Sequence, residues 1–319
     1  MRRHLKAASA KLAAKLIPFM SAVVLSAAAC QSAPVSSATP ASAAFPVVIH
    51  SGDGSTLTID HQPRRIVSLS PSATEMLFAI GAGKQVVAVD EQSNYPRTAP
   101  VTKLSGFQPN IEAIAGYAPD LVVASDDTGG LVRGLQSVST ATLLEPAAKT
   151  LDDSYTQILQ LGRATGHPTE ALALVTKLQR DVAAIVASVG KPRRPLSVYH
   201  ELDDTYYSAT SKTFIGQLYV LLGLNNIADR AAGTAPDYPQ LSSEFIVAAS
   251  PDLVVLADTK CCKQSLQTVA SRPGWASIAA VRTGEVVQVD DDVASRWGPR
   301  VTDFLRVIAA RVREIEQRG

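Results

Sequence analysis

The sequence predicts an α/β protein of two Rossmann-like lobes joined by one long helix. Residues 112–123 recur as residues 244–255, with a glutamate, a Pro-Asp pair and a Leu-Val-Val run at matching positions. This repeat distance far exceeds the period of a solenoid, which is roughly 20–50 residues, so it predicts two similar lobes. In both halves short apolar runs alternate with helical patterns, which is typical of parallel α/β sheets. Between the halves, apolar residues spaced three or four apart predict a single helix.

The N-terminal residues predict an export signal. Residues 1–29 contain five Lys or Arg residues and no acidic residue, and they end in an apolar stretch over 16–29. This pattern is typical of a signal peptide. Ala27-Ala28-Ala29-Cys30 resembles a bacterial lipoprotein box, which implies that Cys30 is lipidated and anchors the protein to the outer face of the cytoplasmic membrane. The alternative is cleavage after an Ala-x-Ala site, which would give a soluble periplasmic or secreted protein.

Residues 30–44 are rich in Ser, Ala, Pro and Thr, and they predict a flexible tether. The first lobe is predicted over residues 45–167. Gly52-Asp53-Gly54 is a turn between two apolar runs and predicts a hairpin, and the helix that Ser70 opens ends at Gly81. The predicted elements are strands over 45–49, 56–59, 65–69, 86–89 and 121–124 and helices over 70–80 and 110–115.

The bridging helix is predicted over residues 168–190. Pro168 begins it, and Gly190 and Pro192 prevent its continuation. At 1.5 Å per residue it spans about 30 Å, so it is expected to be a rigid link between the lobes. The second lobe is predicted over residues 191–319, with strands over 196–199, 253–256 and 286–289 and helices over 214–222, 245–249 and from 301 onward.

Composition and motifs exclude several function classes. Aromatic residues make up 5% of the chain, and after the basic leader acidic residues outnumber basic ones, which argues against a nucleic-acid surface. The sequence has no Gly-x-Ser-x-Gly elbow, no Walker loop and no His-Glu-x-x-His motif, so it predicts a protein that is not an enzyme. An exported enzyme or chaperone on the same fold is the alternative from another function class.

Several polar residues and the two adjacent cysteines could have either a functional or a structural role. His200 ends a predicted strand beside several acids, and it is either a ligand contact or a polar strand-end residue. The run Asp290 to Asp292 lacks the spacing of a calcium loop and predicts a solvated turn. Adjacent Cys261 and Cys262 form either a strained vicinal disulfide or a free thiol pair. No metal site is predicted.

The repeated glutamates, Glu112 and Glu244, also have two interpretations. Each falls in the first turn of a predicted helix, where a carboxylate complements the helix dipole by about 0.3–1 kcal/mol. Helix stabilisation does not explain why the same acid stands at one register in both lobes. Two symmetric acids on one face would suit a pseudo-twofold partner with basic pockets.

Ordered motifs run from residue 45 to the C-terminus. They occupy residues 65–81, 94–96, 106–112, 119–122, 238–244, 273–275, 289–290 and 295–300. In kind and order they resemble the class III substrate-binding proteins of ABC importers, which capture cobalamin, haem and siderophores. Three of these motifs are most similar to the cobalamin-binding branch of the family: Ser-Pro-Ser-Ala-Thr-Glu at 70–75, Tyr95-Pro96, and the Ser-Arg-x-x-Pro-Arg pattern at 295–300.

The resemblance implies a ligand held between two lobes with little hinge motion. It implies that the ligand is cobalamin or a related corrinoid and that no cofactor is needed. It also implies a monomer whose Glu112 and Glu244 dock onto arginines of the permease dimer, which works with ATPase subunits. Seven residues correspond by position to cleft residues of the cobalamin binders: Gln92, Phe107, Ser125, Tyr207, Tyr238, Asp292 and Arg296.

Gln92 and Ser125 stand where the cobalamin binders carry aromatic residues, so the first lobe offers fewer aromatic side chains to line the ligand pocket. Trp297, beside Arg296, is expected to compensate from the second lobe. Local packing is the alternative role for Phe107 and Tyr238. The alternative ligand is haem or a ferric siderophore, and the residues available to coordinate haem are His200, Tyr206 and Tyr207.

Overall fold

The computed structural model describes residues 45–190, 192–231 and 237–318. The expected signal peptide, the lipidated Cys30 and the tether lie outside these residues. Among the helices of the described ranges, none combines the length and the apolar character that a membrane crossing requires.

The first lobe contains a hairpin and a four-stranded sheet. Its elements are β1 (Val47–His50), β2 (Thr56–Ile59), β3 (Ile66–Leu69), α1 (Pro71–Ala79), β4 (Val86–Val89), α2 (Ile111–Ala115), β5 (Leu121–Ala124), α3 (Leu131–Ser137), β6 (Ala141–Leu144) and α4 (Leu151–Thr165), followed by the long helix α5 (Pro168–Val189). β1 and β2 pair antiparallel, and the sheet has the parallel order β4-β3-β5-β6. All residues of β3 and β5 are buried, as expected when helices cover both faces of a sheet.

The second lobe repeats this plan. Its elements are β7 (Leu196–Glu201), α6 (Phe214–Leu221), β8 (Leu224–Asn226), α7 (Ala228–Ala231), α8 (Ser243–Ala249), β9 (Leu253–Leu256), α9 (Leu266–Ala270), α10 (Ala279–Thr283), β10 (Val286–Gln288), α11 (Asp291–Ser295) and α12 (Val301–Arg318). The four strands are parallel in the order β10-β9-β7-β8. The predicted fold class is confirmed: two α/β lobes and one long helix between them.

Helix α5 contributes to the cores of both lobes. Ala171, Val175 and Leu178 on its N-terminal half pack into the first-lobe core. Val182 and Ile185 on its C-terminal half pack into the second-lobe core. These five residues share one helix face, which is the pattern that the sequence shows. Both lobes are therefore packed onto the same rigid element.

The solvated turn predicted at Asp290 to Asp292 is wrong in one respect. Asp290 is the N-cap of α11, where its carboxylate accepts hydrogen bonds from the backbone N–H of Asp292 at 2.9 Å and of Val293 at 3.4 Å. Asp291 and Asp292 then form the first turn of this helix, where acids complement its dipole. The acidic run therefore begins a short helix.

Candidate functional site

The chain topology places the repeated helices at equivalent edges of the two sheets. Helix α2 leads into β5, and α8 leads into β9. A helix that connects parallel strands runs opposite to them, so the N-terminus of each helix lies at the carboxyl edge of its sheet. In open α/β folds ligands bind outside this edge. Both helix starts therefore belong to the edge at which a ligand is expected.

Glu112 and Glu244 occupy the second residue of α2 and of α8. The N-cap role belongs to other residues: Asn110 Oδ1 accepts from Ala113 N at 2.9 Å, and Ser242 Oγ accepts from Phe245 N at 3.1 Å. Both glutamates are exposed, and within the described residues neither carboxylate accepts a hydrogen bond or joins an ion pair. Two carboxylates in the same helical position therefore remain free to meet a partner.

On the first lobe, Phe107 and Ser125 both lie at the carboxyl edge of the sheet. Phe107 is 75% exposed in the loop before α2, and half-buried Ser125 directly follows β5. Gly106 allows this loop to cross the end of β3, since a Cβ there would lie 2.5 Å from the carbonyl oxygen of Leu69. The close passage fixes the position of Phe107, which is presented to solvent. Local packing is not its role here.

On the second lobe, Tyr207 and Tyr238 lie on two loops that are bonded to each other. Ser208 N donates to Pro239 O at 2.9 Å, Gln240 Nε2 donates to Thr205 O at 3.0 Å, and Tyr207 and Gln240 form a β-bridge. Tyr207 is 41% and Tyr238 51% exposed. The bonded loops hold two accessible aromatic side chains close together after β7 and before α8.

Arg296 and Asp292 lie where the two lobes touch. Arg296 is 8% exposed; its guanidinium donates to Glu75 Oε1 at 2.9 Å, to Gln92 O at 2.8 Å and to Asp292 Oδ1 at 2.9 Å. Glu75 and Gln92 belong to the first lobe. Arg296, expected to be a cleft residue, thus has its guanidinium donors engaged in joining the lobes.

Asp292 is held in the same region. It accepts from Asn94 Nδ2 of the first lobe at 2.9 Å and from Lys260 Nζ at 2.6 Å. Although partial burial acts in the opposite direction, the bonds from Lys260 and Asn94 hold the pKa of Asp292 below its ordinary value. The predicted residues Gln92, Asp292 and Arg296 are thus brought together, but as part of the lobe junction. The side chain of Gln92 itself is exposed.

Glu75 is the centre of this junction. Its buried side chain also accepts from Arg300 Nε at 3.0 Å and from Arg300 Nη2 at 2.5 Å, and the Arg300 guanidinium lies 4.2 Å from the ring centre of Tyr95. Glu75, Arg296 and Arg300 are called the lobe clasp below. In the sequence Glu75 belongs to a motif that predicts no role for it, and no local pattern links it to arginines more than 200 positions away.

Trp297, expected to compensate from the second lobe for the missing aromatic residues, is held against the first lobe. Its indole Nε1 donates to Gln157 Oε1 at 2.9 Å, and its carbonyl oxygen accepts from Ser154 Oγ at 2.5 Å. Both partners lie on α4, and the half-buried ring packs against the first-lobe core. Trp297 therefore anchors the second lobe to the first, because its polar and apolar groups already have partners there.

His200 does not face a ligand. It is fully buried in β7, where its Nδ1 lies 2.7 Å from the Tyr219 hydroxyl and its Nε2 has no partner. Tyr206 is half-buried and stacks on Trp275, with 5.6 Å between ring centres. Of the residues expected to be able to coordinate haem, only Tyr207 is exposed.

The buried imidazole of His200 predicts a loss of stability in acid. Burial lowers its pKa from 6.5 to about 4. The unfolded chain takes up this proton below pH 6.5 while the folded chain does not, so the free energy of unfolding falls as the pH drops from 6.5 to 4. At about 1.4 kcal/mol per pH unit, this group accounts for up to about 3 kcal/mol.

Urea denaturation at pH 7.5 and pH 4.5 checks this expectation. His200→Gln is expected to lose less stability between the two pH values than the unchanged protein, whatever its stability at pH 7.5. His61→Gln, at an exposed histidine, is the matched control and is expected to keep the full dependence. Equal losses in all three proteins would contradict the assignment.

Two cavities lie where the lobes meet. One, of about 590 Å³, is formed by the start of α4 and by α6, and its apolar lining includes Tyr155 and Phe214. The other, of about 330 Å³, lies beside the lobe clasp. The predicted ligand residues line neither cavity. Four of them carry exposed side chains at the carboxyl edges: Gln92, Phe107, Tyr207 and Tyr238.

In this structure Cys261 and Cys262 are free thiols, which corresponds to the second of the two alternatives for this pair. Across the described residues, no group of three or more His, Cys, Asp or Glu side chains has an arrangement that could hold a metal ion. The candidate site is therefore a set of exposed aromatic and polar side chains at two sheet edges.

The chain is similar to known proteins in sequence and in fold. A sequence model of the family described as periplasmic binding protein matches residues 66–293. The chain is 32% identical to a cobalamin-binding protein of Halobacterium salinarum over 81% of this chain and 72% of that one. It is 29% identical to an uncharacterized ABC transporter substrate-binding lipoprotein of Bacillus subtilis, over 84% and 86%. The periplasmic heme-binding protein RhuT of Roseiflexus shares its fold, with a TM-score of 0.71 at 23% identity over 80% and 99%.

Proposed function

The chain belongs to the periplasmic binding protein family and is a substrate-binding protein of an ABC transporter, and we propose that its ligand is cobalamin or a related corrinoid. It is a binding protein and not an enzyme. The observation that carries the ligand proposal is the 32% identity to a cobalamin-binding protein over most of the chain. The exposed aromatic side chains at both sheet edges support it.

The chemistry of these side chains suits a corrin ring. Phe107 on one lobe and Tyr207 and Tyr238 on the other offer flat apolar faces, and the two tyrosines add hydroxyl groups. Aromatic faces with a few polar groups are typical of sites for large, partly polar ligands. Ser125 and the Gln92 side chain add hydrogen-bonding groups for the amide arms of a corrinoid. In this proposal Asp292, Arg296 and Trp297 position the lobes around the ligand instead of contacting it.

Calorimetric titration with cyanocobalamin tests the ligand assignment. We expect a Kd below roughly 1 μM, which is about 8 kcal/mol of binding free energy. Phe107→Ala and Tyr238→Ala are each expected to weaken binding about tenfold, since truncating an anchoring aromatic costs more than about 1 kcal/mol. Val138→Ala, at an exposed apolar residue beyond the C-terminal end of α3, is the matched control and is expected to bind normally. An absence of heat across several corrinoids would overturn the assignment.

Haem is the second candidate ligand, and the exposed Tyr207 is the observation in its favour. Hemin titration followed in the Soret region distinguishes the two candidates. A shifted Soret band that Tyr207→Phe abolishes would favour haem. An anionic ferric siderophore is less well matched, because the guanidinium groups of Arg296 and Arg300 are already paired with Glu75.

We further propose that Glu112 and Glu244 dock onto basic pockets of a permease dimer that works with ATPase subunits. Their equal helical position, their exposure and their lack of partners among the described residues support this role. Charge complementarity between such surfaces fixes orientation and accelerates association. Lipid anchoring through Cys30, export to the outer face of the membrane and action as a monomer are parts of the same proposal.

A further inference from the structure

The loop of residues 258–263, called the dithiol loop here, follows β9 at the carboxyl edge of the second sheet. It carries the two free thiols, of which Cys261 is exposed and Cys262 is half-buried. The proposed function gives neither thiol a role. Their direct adjacency and their accessibility set them apart from a buried structural cysteine.

The dithiol loop is bound to the start of α11 by its backbone. The carboxylate of Asp291 accepts from Thr259 N at 2.8 Å, from Lys260 N at 3.0 and 3.1 Å and from Cys261 N at 3.2 Å. The ammonium group of Lys260 also bonds Asp290 at 2.8 Å. The loop conformation and the start of α11 are therefore mutually dependent.

The start of α11 is in turn bonded to the first lobe. Asp292 accepts from Lys260 of the dithiol loop, from Asn94 of the first lobe and from Arg296 of the lobe clasp. One aspartate thus connects the loop with the thiols to the contact between the lobes. A change in the loop backbone reaches this contact through two successive sets of hydrogen bonds.

We propose that Cys261 and Cys262 are a redox modification site whose oxidation to a vicinal disulfide loosens the lobe junction. Adjacent Cα atoms lie about 3.8 Å apart, whereas disulfides usually join Cα atoms about 4.4–6.8 Å apart. The bond therefore forces the Cys261–Cys262 peptide out of its present shape. The N–H of Cys261 then leaves Asp291, and the N–H of Cys262 leaves the Asp258 carbonyl oxygen that it bonds at 3.2 Å.

The reaction needs a disulfide as oxidant, such as oxidised glutathione or an exported disulfide oxidoreductase. Burial, the Cys262 thiol and the carboxylates of Asp291 and Asp258 raise the pKa of Cys261 to about 12, which disfavours Cys261 as the first nucleophile and assigns that step to Cys262. It forms a mixed disulfide with one sulfur of the oxidant and releases the other as a thiolate. Cys261 then loses its proton, attacks the Cys262 sulfur and expels the second thiolate. Two thiols are oxidised to one disulfide, and one disulfide is reduced to two thiols.

Hydrogen–deuterium exchange of the full chain carrying Cys30→Ser, before and after treatment with oxidised glutathione, tests the proposal. Intact mass should fall by about 2 Da, the two hydrogens lost, and tryptic cleavage after Lys260 and Lys263 should yield a Cys-Cys-Lys peptide in disulfide form. Exchange at residues 290–296 and 92–95 should then accelerate on the order of tenfold, the factor expected for loss of one hydrogen bond to a charged group.

The double variant Cys261→Ser with Cys262→Ser, in the same Cys30→Ser background, is the matched control. It should show neither the mass change nor the faster exchange after the same treatment. Two results would overturn the proposal. The first is that the treatment gives only mixed glutathione adducts or no adducts. The second is that the vicinal disulfide forms while hydrogen exchange at residues 290–296 and 92–95 stays unchanged. Neither result depends on the identity of the transported ligand.

Discussion

Replacing Glu75 with glutamine is expected to lower the free energy of unfolding by about 3–5 kcal/mol. The buried carboxylate accepts hydrogen bonds from Arg296 and Arg300, which both lie across the lobe junction. Glutamine keeps the shape of the side chain but removes its charge. Arg300 then loses its carboxylate partner, and Arg296 keeps only that of Asp292, so two largely buried guanidinium groups share one carboxylate instead of two. The lobe clasp would therefore hold the lobes together much less strongly.

Urea denaturation at pH 7.5 measures this effect. Glu314→Gln on α12 is the matched control, because Glu314 forms ion pairs with Arg311 and Arg318 at the surface. Exposed pairs contribute about 1 kcal/mol or less, so the control should remain close to the unchanged protein. If the two variants lost similar amounts of stability, Glu75 would not be the group on which the junction depends.

Reversing both repeated charges, with Glu112→Arg and Glu244→Arg in one protein, is expected to reduce uptake of labelled cobalamin to background. The arginines would face the basic pockets of the proposed permease, and opposed like charges cost several kcal/mol at an interface. Both side chains are exposed at the starts of short helices and have no partners among the described residues. Ligand affinity in calorimetry is therefore expected to stay unchanged.

Glu170→Arg is the matched control for the charge reversal. Glu170 is also an exposed acid in the first turn of a helix, α5, so its reversal disturbs a helix dipole in a similar way. Transport should continue in this variant. Normal uptake by the double variant at Glu112 and Glu244 would mean that these acids only complement helix dipoles, whatever ligand the protein binds.

Much of the fold could be predicted because local signals and tertiary packing agree. The bridging helix shows a complete apolar face, and the strands of the repeat are runs of buried aliphatic residues. Helix α4 was missed even though Thr150 and Asp153 form a capping box at its start, a signal that the sequence carries. Strand β8 was also missed. It has three residues and depends on pairing with β7, which no local pattern reveals.

The candidate site was less predictable, since it depends on contacts between distant residues. Phe107 and Tyr238 were assigned to the site only by the resemblance to the family, and that assignment stays a prediction. The pairing of Arg296 with Glu75 could not be predicted, because the lobes must first assemble. The polar neighbours of His200 in the sequence suggest a side chain at the surface. Strand β7 is buried on both faces, however, so the alternation of residues along it does not show which side chains reach solvent.

Helix α5 has a consequence for how the molecule comes apart. Its single apolar face is divided between two cores, with Val175 and Leu178 in one and Val182 and Ile185 in the other. A fragment containing α5 and only one lobe would leave the other part of the apolar face of α5 exposed to water. We therefore expect the two lobes to unfold together as one cooperative unit.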